Sequence, residues 1–130
     1  MKITAIYAAL LTPLFILLSL RVIAARRVAR SAIGDGNDAS LLRRMRVQAN
    51  FAEYVPMALV LMALAESMRG PAWLLHVLGM ALLAARMSHA YGVSQEDENF
   101  RFRVFGVGVT FTMLSIAAAT CLVLAVASSS

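Results

Sequence analysis

The sequence has few cysteine, lysine and acidic residues. It contains one cysteine, Cys121, which excludes an internal disulfide bond. Seven acidic residues stand against twelve basic ones, eleven of them arginine, and the formal net charge is +5. The arginines lie beside hydrophobic runs and no separate basic module exists, so we expect cytoplasmic membrane loops and no nucleic-acid binding. We also expect no metal site.

Apolar sequence, by contrast, is abundant. Hydrophobic residues occupy 61% of the 130 positions and the mean hydropathy is +0.77, whereas soluble domains are roughly 45–50% apolar. The apolar residues form long blocks, each close to the about 20 residues that a helix needs to cross a bilayer. We therefore predict one integral membrane domain over residues 1–130, an all-α four-helix bundle. The predicted helices span residues 3–25, 47–68, 72–91 and 103–127.

The first apolar run and the segment after it set the start of the bundle. The run over residues 3–25 is too long for a signal-peptide core and lacks a convincing cleavage site, so we expect it to remain as the first helix. Residues 31–40 form the one clearly soluble loop, rich in turn-forming residues. Asp38 or Ser40 is then a suitable N-cap for a helix that starts near Leu41.

The second hydrophobic span carries charge near one end. Arg46, Asn50, Glu53 and Met57 follow one another at helical spacing and therefore share a face. An ionisable group at membrane depth costs on the order of 2.5–3.5 kcal/mol, so such groups usually face a bundle interior or a wet cavity. The pattern predicts a polar site in this part of the bundle, and it gives Glu53 the role of a buried carboxylate paired with Arg46.

Two further pairs of basic residues belong to the same end of the bundle. Arg86 and His89 are three residues apart on one face of the third helix, on the same side of the membrane as Arg46. Arg101 and Arg103 open the fourth helix, where a spacing of two residues separates them by about 200° around the axis. Only one of that pair can point into the bundle. We favour Arg103, which lies about half a turn deeper.

Arginine is distributed unequally between the connections. Only Lys2 and Arg69 lie at the ends of the helices opposite to the first and third connections. By the positive-inside rule, the first and third connections are cytoplasmic and both termini lie outside. The arginine-rich flanks consist of Arg21, Arg26, Arg27, Arg30, Arg43, Arg44, Arg46, Arg86, Arg101 and Arg103.

The segment Arg46-Val-Gln-Ala-Asn-Phe-Ala-Glu-Tyr-Val-Pro56 resembles the helix-two signature of the MAPEG proteins, the membrane-associated glutathione transferases and eicosanoid synthases. The likeness covers nearly the whole chain and is greatest to short bacterial members. It implies a homotrimer with glutathione as co-substrate, held between neighbouring protomers, and a location in the bacterial inner membrane. It assigns glutathione contacts to Arg46, Asn50, Glu53 and Tyr54. Gln48 and Arg26 would contribute from across the interface, and the Arg86–His89 pair would belong to the same binding site.

The resemblance also suggests a reaction. An arginine near the start of helix four, here Arg101 or Arg103, would stabilise the glutathione thiolate. The expected activity is conjugation or reduction of lipophilic electrophiles that arrive from the membrane lipids. This chain departs from the family in helix three, where many members have a tyrosine at the position of Val93. The nearby Tyr91 of this chain lies on another face of the helix. The alternatives are a small transporter or lipid-binding bundle without catalysis, and polar residues that only tie the helices of a trimer together.

Overall fold

The computed structural model describes residues 1–95, 97 and 99–128, and within them the chain forms four α-helices. Of these, α1, α2 and α4 are long and apolar enough to cross a membrane. The prediction of an all-α membrane protein with four helices is therefore confirmed, while α3 is not among the helices found long and apolar enough to span a membrane. The helices are α1 (Lys2–Ala29), α2 (Ala39–Ser67), α3 (Ala72–Ser94) and α4 (Phe100–Ser128).

The largest difference from the predicted bounds is at the start of α2. Residue 47 marks the beginning of the apolar span, but the helix itself begins at Ala39, close to the start near Leu41 that the turn sequence indicates. Asp38 is the N-cap, and its carboxylate accepts a hydrogen bond of 2.9 Å from the backbone N–H of Leu41. This bond satisfies one of the N–H groups that every helix leaves unpaired in its first turn.

The helices pack around a continuous apolar core. Both α2 and α3 contact the other three helices, whereas α1 and α4 do not contact each other within the described residues. Core side chains such as Leu11, Met62, Leu82 and Met113 are almost completely buried. Large apolar side chains on the outer faces are exposed, as expected of helices that contact lipid rather than water.

Glycines allow two helix contacts to be especially close. A methyl group built on Gly79 would lie 2.2 Å from the ring of Tyr7 on α1, and one built on Gly106 would lie 2.7 Å from the carbonyl oxygen of Ala85 on α3. At Gly108, two residues further along α4, no atom lies within 4 Å of such a methyl group. Residues two apart are separated by about 200° on a helix, so only one of this pair can face α3.

At the end of the bundle opposite the arginine-rich loops, α2 holds the start of α1. The carboxylate of Glu66 accepts hydrogen bonds from the backbone N–H groups of Ile3, at 2.8 Å, and Thr4, at 2.9 Å. The Tyr7 hydroxyl lies 3.1 Å from Nδ1 of His76 and donates to the carbonyl of the same residue, also at 3.1 Å. His76 is therefore a helix-packing residue, and Glu66 caps the first turn of α1.

Candidate functional site

Arg86 lies at the centre of the polar residues, with only 2% of its surface exposed. Its guanidinium donates to the side-chain oxygen of Asn50 on α2, to the carbonyl of Gly106 at 3.0 Å and to the hydroxyl of Thr110 at 2.7 Å, the last two on α4. Five N–H donors in a rigid planar group suit arginine to such a three-way contact. Arg86 thus ties α2, α3 and α4 together inside one protomer.

This contact fixes the orientation of the Asn50 side chain. Arginine can only donate hydrogen bonds, so the atom of Asn50 that faces it must be the amide oxygen. The amide nitrogen of Asn50, with two donors, has no hydrogen-bond partner among the described residues. Asn50 is only half-buried, so its free donors are available to a further partner.

His89 shares the inner position of Arg86. It is 4% exposed, and a methyl group on Gly106 would lie 2.7 Å from its Cβ atom, so its side chain fills the close contact between α3 and α4. Thr110 is completely buried and also donates to the carbonyl of Gly106 at 2.7 Å. A threonine in an apolar helix gives no sign that its partner lies 24 residues earlier in the chain.

The polar face of α2 lies on the outside of the protomer, beside this buried network. Arg46, Glu53 and Met57 are exposed, while Asn50 and Tyr54 are half-buried. Within the described part of the chain, neither charged residue of the set has a hydrogen bond or an ion pair. The expected burial of Glu53 and its pairing with Arg46 do not occur in the single protomer, since the face that carries both side chains is turned away from the other helices.

The length of α2 locates Glu53 relative to the membrane. At about 1.5 Å per residue the helix is about 44 Å long, whereas the hydrocarbon core is about 30 Å thick. Measured from the end of α2 at Ser67, Glu53 is about 21 Å along the axis and lies inside the apolar region. Tyr54, next to it, packs edge-on against Phe111 of α4, with ring centroids 5.2 Å apart. The exposed carboxylate is therefore at membrane depth.

Gln48 and Arg26 make contacts within their own protomer. The amide nitrogen of Gln48 donates to the hydroxyl of Ser19 on α1 at 3.2 Å. The guanidinium of Arg26 donates to the carbonyl of Gly34 at 2.8 Å and contacts the sulfur of Met45 at 3.6 Å, so it holds the α1–α2 loop against the start of α2. Both side chains are half-buried.

The structure places Arg101 and Arg103 at the start of α4, where both side chains are exposed on the protomer. The backbone N–H of Arg101 donates to the side chain of Asn99 at 3.1 Å, which caps the helix. Val93, in place of the tyrosine of many MAPEG members, is 4% exposed and belongs to the apolar core, whereas Tyr91 is 57% exposed. The third helix therefore supplies no tyrosine hydroxyl at that position.

The comparisons with known proteins agree with the sequence signature. A model of the MAPEG family matches residues 4–126. The inner membrane protein YecN of Escherichia coli strain K12 is 36% identical over 112 residues, which cover 86% of this chain and 84% of the relative. The YecN of Escherichia coli O6:H1 matches to the same extent. Because the family match spans nearly the whole chain, including the helix with the exposed polar face, the chain belongs to the MAPEG family.

Proposed function

We propose that this chain forms a homotrimer in a bacterial inner membrane and binds glutathione between neighbouring protomers, at the outer polar face of α2. The observation that carries the proposal is the exposure of Arg46 and Glu53 on a lone protomer. Glu53 lies at membrane depth, where a charge left in contact with lipid costs on the order of 2.5–3.5 kcal/mol. A neighbouring protomer and a polar ligand that cover this face together would remove that cost.

The charges on this face complement those of glutathione, which carries two carboxylates and one ammonium group. The guanidinium of Arg46 suits a carboxylate, and Glu53 suits the ammonium group. Asn50 would donate its free amide N–H groups to a ligand carbonyl, and Arg86 acts as a positioning residue because it holds the amide oxygen of Asn50. In this arrangement Tyr54 lines the same face.

Other contacts would come across the interface. Gln48 and Arg26 would reach the ligand with the donors that their contacts within their own protomer leave over. His89 would shape the wall behind Asn50 and would not touch the ligand, since it is buried against α4.

The proposed chemistry is that of a glutathione transferase or peroxidase. A free thiol has a pKa of about 8.5. The guanidinium of Arg103 or Arg101, in a low-dielectric site, would favour the thiolate form of glutathione. In a transfer reaction the thiolate sulfur bonds to an electrophilic carbon, and the leaving group departs with the bonding electron pair. In a peroxidase reaction the oxygen–oxygen bond of a lipid hydroperoxide breaks to give the lipid alcohol and water, and two glutathione thiols supply the two electrons and two protons and become the disulfide. The electrophile is lipophilic because it enters from the bilayer.

Glutathione titration of the detergent-purified protein tests the binding site. Glu53→Gln should weaken binding at least about tenfold, which corresponds to about 1.4 kcal/mol, while the trimer survives in light-scattering measurements. The matched control is Asp38→Asn, which neutralises a carboxylate on the same helix and keeps an N-cap residue. Unchanged binding in Glu53→Gln would show that the site is assigned to the wrong residues.

The thiolate is tested separately. Its ultraviolet absorbance, followed against pH in Arg101→Ala and Arg103→Ala, should disappear at neutral pH in the second variant while glutathione stays bound. Loss in the first variant alone would transfer the role to Arg101. If neither variant changes the signal, the start of α4 does not activate the thiol and the protein binds glutathione without this chemistry.

We also propose that both termini lie outside and that the glutathione site faces the cytoplasm, from the arginine distribution. A reporter that is active only in the cytoplasm, fused after residue 130, should stay silent, and activity would invert this orientation. Proton-driven flux in liposomes, without glutathione-dependent stabilisation, would instead support a small transporter.

A further inference from the structure

A second polar site is a cleft within one protomer, between α1, α2 and α3 at the arginine-rich end of the bundle, and its mouth is formed by the exposed residues Ala39, Ser40 and Arg43. It is a cavity of ≈ 310 Å³, at the lower end of the about 300–1,000 Å³ typical of small-molecule sites. None of its lining residues belongs to the outer face of α2 proposed for glutathione. They are Leu18, Arg21, Ala39, Ser40, Arg43, Arg44, Val47, Val93 and Ser94.

Neutral oxygen atoms hold Arg21 and Arg44 in place at this cavity, and Arg43 also donates to one. Arg21 donates to the hydroxyl of Ser94 at 2.9 Å, Arg44 to the carbonyl of Arg21 at 3.4 Å and Arg43 to the carbonyl of Gln95 at 3.2 Å. In the part of the chain that the structure describes, neither Arg21 nor Arg44 forms an ion pair with a carboxylate. Each guanidinium has five N–H donors, so most donors of these two remain for an anion.

The rest of the lining adds one polar and one apolar wall. Ser40 and Ala39 belong to the first turn of α2, where the helix dipole favours a negative charge and where the Asp38 carboxylate already accepts the N–H of Leu41. Leu18, Val47 and Val93 are all at most 4% exposed and form the apolar side. The cavity therefore suits a small anion that carries an apolar or neutral group.

We propose that this cavity binds the phosphate group of an organophosphate, with Arg21 and Arg44 as its principal ligands and the adjoining neutral part of the molecule against the apolar wall. Planar guanidinium groups match phosphate oxygens in pairs, which makes arginine the preferred partner. Basic pockets between membrane helices at the headgroup level bind anionic lipid headgroups. A soluble glycerol phosphate has the same phosphate and neutral glycerol groups as a lipid headgroup. The volume of the cavity fits either one.

The experiment uses the full-length protein in detergent, with phosphatidylglycerol, phosphatidylcholine and glycerol 3-phosphate as separate probes. Retention of each probe is measured by native mass spectrometry, and thermal stabilisation is measured in parallel. In the double variant Arg21→Gln with Arg44→Gln, affinity for phosphatidylglycerol should fall at least about tenfold, as the loss of two charge-assisted contacts implies. The matched control is Arg27→Gln, an exposed arginine of α1 outside this cavity, which should change affinity less than about twofold.

A second variant keeps every arginine. Ser40→Trp places a bulky side chain at the cavity and should abolish retention, which separates occupation of the cavity from general attraction to basic side chains. Retention of glycerol 3-phosphate without phosphatidylglycerol would support the site and identify its ligand as soluble. Equal retention of phosphatidylglycerol and phosphatidylcholine, or equal losses in the Arg27 control and the double variant, would overturn the proposal. Unchanged retention in Ser40→Trp would overturn it as well.

Discussion

Replacing Arg86 with methionine should lower the free energy of unfolding by about 1–2 kcal/mol. Three hydrogen bonds between helices are lost, and each is worth about 0.6 kcal/mol on average inside membrane proteins. Methionine fills much of the same volume, so no large cavity adds to the loss, and removal of a buried charge returns part of its desolvation cost.

The loss falls unevenly on the partners of Arg86. Thr110 and the Gly106 carbonyl remain bonded to each other at 2.7 Å, so they stay satisfied without the arginine. The side-chain oxygen of half-buried Asn50 loses the only partner that the described residues give it, at a cost towards the lower end of the about 1–3 kcal/mol of a fully buried acceptor. Most of the destabilisation should therefore pass through Asn50.

A double-mutant cycle tests this distribution. Arg86→Met, Asn50→Leu and the double variant are unfolded reversibly in mixed micelles of mild detergent and dodecyl sulfate, with helix content followed by circular dichroism. The two substitutions should be coupled by about 1 kcal/mol or more, because they remove the same bond. Arg27→Met, an exposed arginine, is the control and should change stability by less than about 0.5 kcal/mol. Additive effects, or a loss in Arg86→Met no larger than in the control, would refute the proposed tie between the helices.

Two further predictions use the same unfolding assay. Gly79→Ala should lower the free energy of unfolding by about 1–3 kcal/mol, because its methyl group would overlap the ring of Tyr7. The control Gly108→Ala meets no atom and should be neutral or slightly stabilising. Equal losses of stability in the two variants would disprove the close contact. Glu66→Ala should cost about 0.5–2 kcal/mol, because it removes the acceptor for two N–H groups at the start of α1, and an unchanged stability would show that these groups find another acceptor.

The sequence predicts local features of the fold well. The four helices, the Asp38 cap and the turn residues of the first loop follow from hydrophobic blocks and from chemistry within a few positions along the chain. Gly34, Gly36 and Asn37 adopt positive φ angles of 72°, 55° and 60°, the conformation for which such residues are suited.

Contacts between distant parts of the chain were not predictable in the same way. The spacing of Arg86 and His89 shows that they share a face, but it does not show which helix that face meets. The structure turns both side chains towards α4, so Arg86 holds the site together from inside the protomer. In the sequence, Glu66 is simply a polar residue at the end of the second helix. Its partners, Ile3 and Thr4, are more than 60 residues away along the chain. The outer position of Arg46 and Glu53 likewise depends on how α2 is rotated in the bundle.

The contacts of Glu66 and Arg26 bear on how the chain is inserted into a membrane. At one end of the α1–α2 pair Arg26 binds the loop that joins the two helices, and at the other end Glu66 caps the first turn of α1. Both contacts lie within the first 67 residues, so this hairpin can close before α3 has been synthesised. Until α2 arrives, the first N–H groups of α1 depend on water or headgroups for hydrogen bonds. The two contacts therefore allow α1 and α2 to pair as a hairpin without any residue of α3 or α4 taking part in either contact.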